Sequence, residues 1–227
     1  MDNLVYKNEK LSKYSWFGLG GFAKIFFKPK SALDLEKFLE KYNKKSKKIY
    51  ILGAGSNTLF RDSGFDGVII KLGVGFNYIK LLNNNKIEVG AATLDKKLSD
   101  FAKQKSITGF EFLSCIPGSI GGGIRMNSGC YGEDISKILI SVQVMDLHGK
   151  IKIIQSSGVK FFYRGCNLED NLIFISATFK GKKNTKLNIQ KKINTLIEKK
   201  KKDQPSKIKT CGSTFKNPEK NKAWQLI

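Results

Sequence analysis

Gly109-Phe-Glu-Phe-Leu-Ser-Cys-Ile-Pro-Gly-Ser-Ile-Gly-Gly-Gly-Ile-Arg-Met-Asn-Ser-Gly-Cys-Tyr-Gly132 is the stretch on which the fold turns. Gly118, Gly121, Gly122 and Gly123 crowd around Pro117, and Met126, Asn127, Gly129 and Gly132 follow. Each glycine inside a packed helix or strand forfeits stability, so this density predicts a sharply turning backbone instead. Phe110, Phe112, Leu113, Ile116, Ile120, Ile124 and Met126 are interleaved and predict burial. A buried loop of this kind carries N–H groups that need partners. A flat, polar ligand could supply them, and so could a tight ligand-free connection between core elements; on this stretch alone both stay open.

Working outward, Ile49-Tyr-Ile-Leu52 reads as a buried strand running into Gly53-Ala-Gly-Ser-Asn-Thr58. Successive N–H groups in such a turn can form a nest for a pyrophosphate. No helix is expected after it, because Arg61-Asp-Ser-Gly-Phe-Asp-Gly67 is turn chemistry. Nearer the start, Gly18, Gly20 and Ala23 match G-x-G-x-x-A, but no strand precedes and no helix follows, so the dinucleotide reading is rejected. Residues 1–14 read as a polar lead-in and Lys24–Pro29 as a short strand. Ser31 caps an amphipathic helix to Lys44 with Leu35, Phe38, Leu39 and Tyr42 on one face. Val68–Leu72 and Ile87–Gly90 read as strands, and Thr93 as the cap of a second helix with Leu94, Leu98, Phe101 and Ala102 inward.

Downstream, Ile138–Asp146 and Lys150–Ile154 predict a hairpin about Asp146-Leu-His-Gly149, which puts His148, the only histidine, at the surface. Phe161–Gly165 reads as a loop and Leu172–Phe179 as a strand. Gly181-Lys-Lys-Asn184 reads as a linker, and Thr185–Lys202 as a helix with Ile189, Ile193, Leu196 and Ile197 on one face. This divides the chain into residues 1–180, with an internal boundary near 72, and residues 181–227.

The net charge of +22 invites a nucleic-acid partner. The excess is mostly lysine, in runs such as Lys44-Lys45, Lys47-Lys48 and Lys199 to Lys202, within a chain rich in Asn, Ile and Phe, as an A+T-rich genome supplies. Arginine, which bidentate phosphate and base recognition favours, is scarce, so no nucleic-acid partner is expected. Cys115, Cys130, Cys166 and Cys211 form no C-x-x-C pair, and with one histidine no metal site is expected. Reduced thiols, no signal peptide and no run of roughly 18 apolar residues predict a cytoplasmic protein without a membrane partner.

Four motifs in order carry a resemblance. They are Gly20-Gly21; Gly53-Ala-Gly-Ser-Asn57; Ile116-Pro-Gly-Ser-Ile-Gly-Gly-Gly123 with Met126-Asn-Ser-Gly129 and Tyr131-Gly132; and Gly212-Ser-Thr-Phe-Lys-Asn-Pro218. Together, across nearly the whole chain, they resemble the UDP-N-acetylenolpyruvoylglucosamine reductase family, the flavoenzymes of peptidoglycan precursor synthesis, in its shorter form. The resemblance implies an α+β fold, with two FAD-binding subdomains followed by a substrate-binding domain. It implies FAD held by Gly20, Gly21, Gly53, Ala54, Gly55, Ser56, Asn57 and Thr58, and by Pro117, Gly118, Ser119, Gly121, Gly122, Gly123, Met126 and Asn127. It further implies NADPH as electron donor, a UDP-sugar substrate bound by Tyr163, Lys201 and Asn217, catalysis by Arg164 and Ser213, and a monomer.

The family's third catalytic group is a Glu near its C-terminus. Ala223-Trp-Gln-Leu-Ile227 reads as entering a helix, so the expectation is a sequence ending partway through the second domain, before that Glu. Lys207-Ile-Lys-Thr-Cys211 also departs from the Pro and small residues usual before Gly-Ser. The alternatives are an FAD-binding remnant with little activity, and another flavoenzyme of the same cofactor-binding fold.

Overall fold

A computed structural model describes residues 2–43, 48–204, 210, 212, 213, 215–218, 221 and 223–226. Lys44, Lys45, Lys47, Pro205, Lys207 to Lys209, Cys211, Thr214 and Ile227 lie outside the described residues.

The first sheet contains β1 (Val5–Lys10), β2 (Phe22–Phe27), β3 (Ile49–Ile51) and β4 (Phe65–Ile70), in the order β1-β2-β4-β3. β1 runs antiparallel to β2, whereas β4 lies parallel to both β2 and β3. Parallel neighbours need a crossover, and α1 (Ala32–Asn43) provides one between β2 and β3. Its start follows the sequence: Ser31 Oγ accepts from Asp34 N at 3.1 Å, and Asp34 Oδ2 accepts from Lys30 N at 3.0 Å. The period-two alternation of the strands sorts their side chains. Ile25, Phe27, Val68 and Ile70 meet Leu35, Phe38 and Leu39 of α1, while Phe26 and Ile69 pack on the opposite face with Leu11, Leu52 and Phe60. Residues 1–14 are therefore not a lead-in. As an edge strand β1 needs no apolar run, and the turn after it buries Leu11 completely.

The second sheet is antiparallel throughout. β5 (Ile79–Leu81) and β6 (Lys86–Gly90) come first, and α2 (Asp95–Gln104) follows them. The short strand β8 (Gly129–Cys130) and the six-residue helix α3 (Ile120–Arg125) lie within the glycine-rich stretch, and the short strands β7 (Ile107–Thr108) and β9 (Glu133–Asp134) flank it. Next come β10 (Leu139–Met145), β11 (Ile151–Gln155), the hairpin β12 (Phe161–Phe162) and β13 (Gly165–Cys166), then β14 (Ile173–Lys180) and β15 (Lys182–Lys183). The sheet order is β11-β10-β14-β6-β5. Met145, Ile173 and Ile175 of this sheet share a core with α1 and the first sheet, so one apolar layer joins the two. The architecture is α+β. Among the described residues no helix is long and apolar enough to cross a membrane.

Four local expectations change. The glycine run forms a helix after all, α3, because tertiary hydrogen bonds and packing outweigh the weak propensity of glycine. Thr93 does not cap α2; its hydroxyl donates to the Tyr78 carbonyl at 3.2 Å, and Leu94, expected inward, is 45% exposed. Tyr163 and Arg164 sit in a hairpin turn rather than a loop. The expected linker at 181–184 is partly strand, with Lys182 and Lys183 paired to Thr108 and Ile107. Beyond it, α4 (Lys186–Asp203) is capped by Thr185 Oγ1, which accepts from Asn188 N at 3.2 Å. It buries Ile189 and Ile193 and is clipped down by Lys192 on the buried Glu111 carboxylate, 3.5 Å away.

The shared layer predicts a stability effect. Phe38 is fully buried, with its ring stacked 3.8 Å from that of Phe27. Phe38→Ala should cost about 3–5 kcal/mol, read as a lowered urea midpoint at unchanged m-value.

Candidate functional site

β3 delivers the chain into the 53–58 loop, and the surroundings fix its path. Trp16 N donates to Gly55 O at 3.0 Å, and Ser15 Oγ to Thr58 O at 3.1 Å. Gly55 has φ +74°, and a Cβ there would lie 1.8 Å from Tyr14 O, so this position tolerates only glycine. From the opposite side Lys71 Nζ donates to Gly53 O. Burial, with Lys28 nearby, lowers the Lys71 pKa, which makes that bond part of an enclosed environment. Among the described residues, nothing accepts from the backbone N–H groups of residues 53–57. A row of free N–H groups on a pinned loop is the kind of backbone an anion can bind.

The second loop is held by backbone alone. Asp95 N donates to Gly118 O at 3.1 Å, Ile120 N to Thr93 O at 2.9 Å, and Gly121 N to Ala91 O at 2.9 Å. Leu94 and Ser119 form an antiparallel bridge at the centre. The two loops meet: a Cβ on Gly53 would lie 2.8 Å from Ser119 Oγ and 3.9 Å from Gly122 Cα.

Most of these glycines serve packing. Substituents on Gly20 and Gly21 would strike Phe60 and Asp62, one on Gly121 would crowd Ala91, and one on Gly123 would strike Ile135. Gly122 differs. It is exposed, and the nearest atom to a Cβ there is Ser119 Oγ at 3.6 Å, an ordinary contact. The open backbone at Gly122, the free N–H row and the exposed Pro117 fit a flat, anionic cofactor. Asn127 has a structural duty, since its Oδ1 accepts from Ser136 N at 3.1 Å. Ala54, Ser56, Thr58 and Met126 are half-buried around the loops.

The remaining candidates approach from the other side. Arg164, in the β12–β13 turn, is held at φ +63° with its guanidinium 3.4 Å from Gly129 O and 5.0 Å from the Tyr163 ring centre. Asn217 N donates to the Tyr163 hydroxyl at 3.4 Å, and a Cβ on Gly212 would lie 3.4 Å from Asn57 Oδ1. Ser213 is exposed next to Gly212. Lys201 is exposed as well; its neighbours make the contacts, Lys200 Nζ with Cys115 O at 2.7 Å and Lys199 Nζ over the Tyr131 ring at 4.8 Å. Burial, reinforced by Cys115, pushes the Cys130 thiol up to about 12 despite Lys200 and Arg164, so it stays a protonated thiol and not a nucleophile.

Sequence reasoning missed Lys71, Lys200, Glu111 and the 91–95 segment. Lys71 had a faint signal, a lone cation closing the apolar run Val68-Ile-Ile70. The 91–95 segment had none, because its contribution is made by main-chain atoms.

Comparison with known proteins bears on the same features. The FAD binding domain family matches residues 23–155. The chain is 51% identical over 220 residues to the UDP-N-acetylenolpyruvoylglucosamine reductase of Pelagibacter ubique (strain HTCC1062), covering 96% of this chain and 72% of that one. It is 43% identical over 221 residues to the enzyme of the same name from Rickettsia typhi (strain ATCC VR-144 / Wilmington), covering 97% and 74%. The crystal structure of UDP-N-acetylenolpyruvylglucosamine reductase from Thermus caldophilus aligns with a TM-score of 0.85 at 27% identity, covering 98% and 77%. Phl p 4.0202, a glucose dehydrogenase, shares the fold alone, with a TM-score of 0.59 at 10% identity. Two interlocked glycine loops on an FAD-binding α+β scaffold, and sequence identity along nearly its full length, make this chain a member of the UDP-N-acetylenolpyruvoylglucosamine reductase family.

Proposed function

We propose that the chain catalyses NADPH-dependent reduction of UDP-N-acetylenolpyruvoylglucosamine to UDP-N-acetylmuramate in peptidoglycan precursor synthesis, as a cytoplasmic monomer. Residues 1–180, divided near 72, form the FAD-binding region, and residues 181–227 belong to the substrate-binding domain. The observation that supports this reading best is convergence. Gly212 reaches Asn57 and Asn217 reaches Tyr163, so the last motif folds back onto both the first glycine loop and the Arg164 turn.

FAD, when bound, would supply a two-electron carrier between NADPH and the vinyl group of the substrate. The 53–58 loop, with its N–H row, would hold the pyrophosphate, and residues 117–123 with Met126, Asn127, Gly20 and Gly21 would hold the rest of the cofactor. Tyr163, Lys201 and Asn217 hold the phosphates and sugar of the substrate. Arg164 places a permanent positive charge against the enolate-like charge that develops beside the substrate carboxylate. Ser213 gives a proton to the enol carbon, a base strong enough to take it from a hydroxyl where water is excluded.

Two experiments test this. Gly122→Leu should leave a folded protein that no longer binds FAD, because the protein itself leaves the Cβ space open. Equal FAD titrations for this variant and wild type would exclude the cofactor from that space. Ser213→Ala should let NADPH bleach bound flavin normally while slowing reoxidation by the enolpyruvyl substrate about a hundredfold or more. Arg164→Ala should likewise act mainly on the second half. Unchanged stopped-flow reoxidation in Ser213→Ala would assign the proton to another group.

A further inference from the structure

The Asp95 carboxyl is completely buried, and among the described residues neither oxygen has a hydrogen-bond partner. Ser99, one turn along on the same face of α2, has an equally buried and unpartnered hydroxyl. Asp95 lies beneath the second glycine loop. A Cβ on Gly118 would fall 2.4 Å from Asp95 Oδ2, and one on Gly123 would fall 3.5 Å from Oδ1. The same residue's backbone N–H holds Gly118 O. Asp95 therefore touches the loop twice, through a main-chain bond and through the side chain filling the space behind it.

We propose that Asp95 is a positioning residue, whose buried carboxyl braces the Pro117–Gly123 loop from behind and so sets how tightly that loop closes on FAD. The inference rests on the FAD reading above. A carboxylate with no donor facing it is costly to bury, so the group is stable there without charge. Burial pushes its pKa up to about 8. The first turn of a helix ordinarily favours a carboxylate, but neither oxygen accepts an N–H from that turn.

Among the described residues, the neighbouring elements offer no compensating cation. The loop carries only Pro, Gly, Ser and Ile. α3 contributes Arg125, whose guanidinium is taken by the carbonyls of Leu168, Glu169 and Leu172. The turn at Ile135–Lys137 offers Ile135, while Lys137 binds Gly132 O and Glu133. On α2 itself, Lys96 pairs with Asp100, Lys97 is exposed and Lys103 reaches Gln190. Glu111 is paired to Lys192, and Lys200 to the Cys115 carbonyl.

The sign follows. Below about pH 8 the carboxyl is neutral and the loop rests on it. Above, a charge forms beneath a loop that must hold an anionic cofactor, so FAD affinity falls as pH rises through that value. In the unfolded chain the group titrates at about 3.9. Folding therefore takes up a proton between about pH 4 and 8, and stability declines across that window and levels off above it.

FAD is titrated into apo-protein by flavin fluorescence from about pH 6 to about pH 9.5, with wild type and Asp95→Asn. Wild-type affinity should fall by at least about threefold, and at most about tenfold per pH unit, above about pH 8. Asp95→Asn should flatten that profile and remove the decline in apo-protein Tm toward pH 8, neither of which follows from a purely steric role. Identical pH profiles in the two proteins overturn the proposal, as does pH-independent FAD binding by wild type. A wild type that binds no FAD at any pH overturns the cofactor reading itself and the proposal with it. If the variant does not fold, the infrared spectrum of wild type decides: a protonated-carboxyl band lost near pH 8 supports the proposal, and its absence at about pH 6 overturns it.

Discussion

Three backbone hydrogen bonds between residues 91–95 and 118–121 are the constraint on which the rest of the site depends. A loop this rich in glycine has few side chains with which to anchor itself, and its flexibility would otherwise be lost at a large entropic cost on ligand binding. Here the cost is met during folding. β6 delivers residues 91–95 at the end of the second sheet, and the loop adds to them almost as a further strand, with the Leu94–Ser119 bridge at its centre. The 53–58 loop, coming from the first sheet, then docks on Ser119. Each sheet thus contributes one rigid loop, and the apolar layer shared by α1, β10 and β14 fixes the distance between them.

The glycines divide by what they touch. Gly55, Gly118, Gly121 and Gly123 are small because protein atoms occupy the neighbouring space, while Gly122 is small where the protein leaves room. A count of glycines in a motif conflates these two reasons. Space behind a loop is a folding requirement, and space in front of it belongs to the ligand.

Much of this was legible in the residues, for identifiable reasons. α1 and α4 carry both a cap and an apolar face, β3 and the Ile173–Ile175 half of β14 are apolar runs, and Asp146 announces its turn by accepting from His148 N and Lys150 N. The strand β1 was hidden because an edge strand paired on one side can be as polar as a loop. α3 was hidden because glycine content argues against helix locally while tertiary bonds decide the matter. Leu94 reads as inward by helical spacing, yet it precedes α2 and belongs to the bridge. An acid in a first helical turn reads as solvated, so nothing marked Asp95 as buried. Within Lys199 to Lys202 four identical side chains carry no register, and only the packing of α4 separates Lys200 from Lys201.

Arg164 occupies a left-handed backbone position, at φ +63°, where glycine or asparagine would be more comfortable. The backbone and the side chain at this position ask for different amino acids. A population screened for heat tolerance alone would be drawn toward Gly or Asn at 164, gaining robustness while discarding the guanidinium. On the role proposed for Arg164, the left-handed turn that burdens its backbone is also what brings its guanidinium to Gly129 O, so stability and function pull this position in opposite directions.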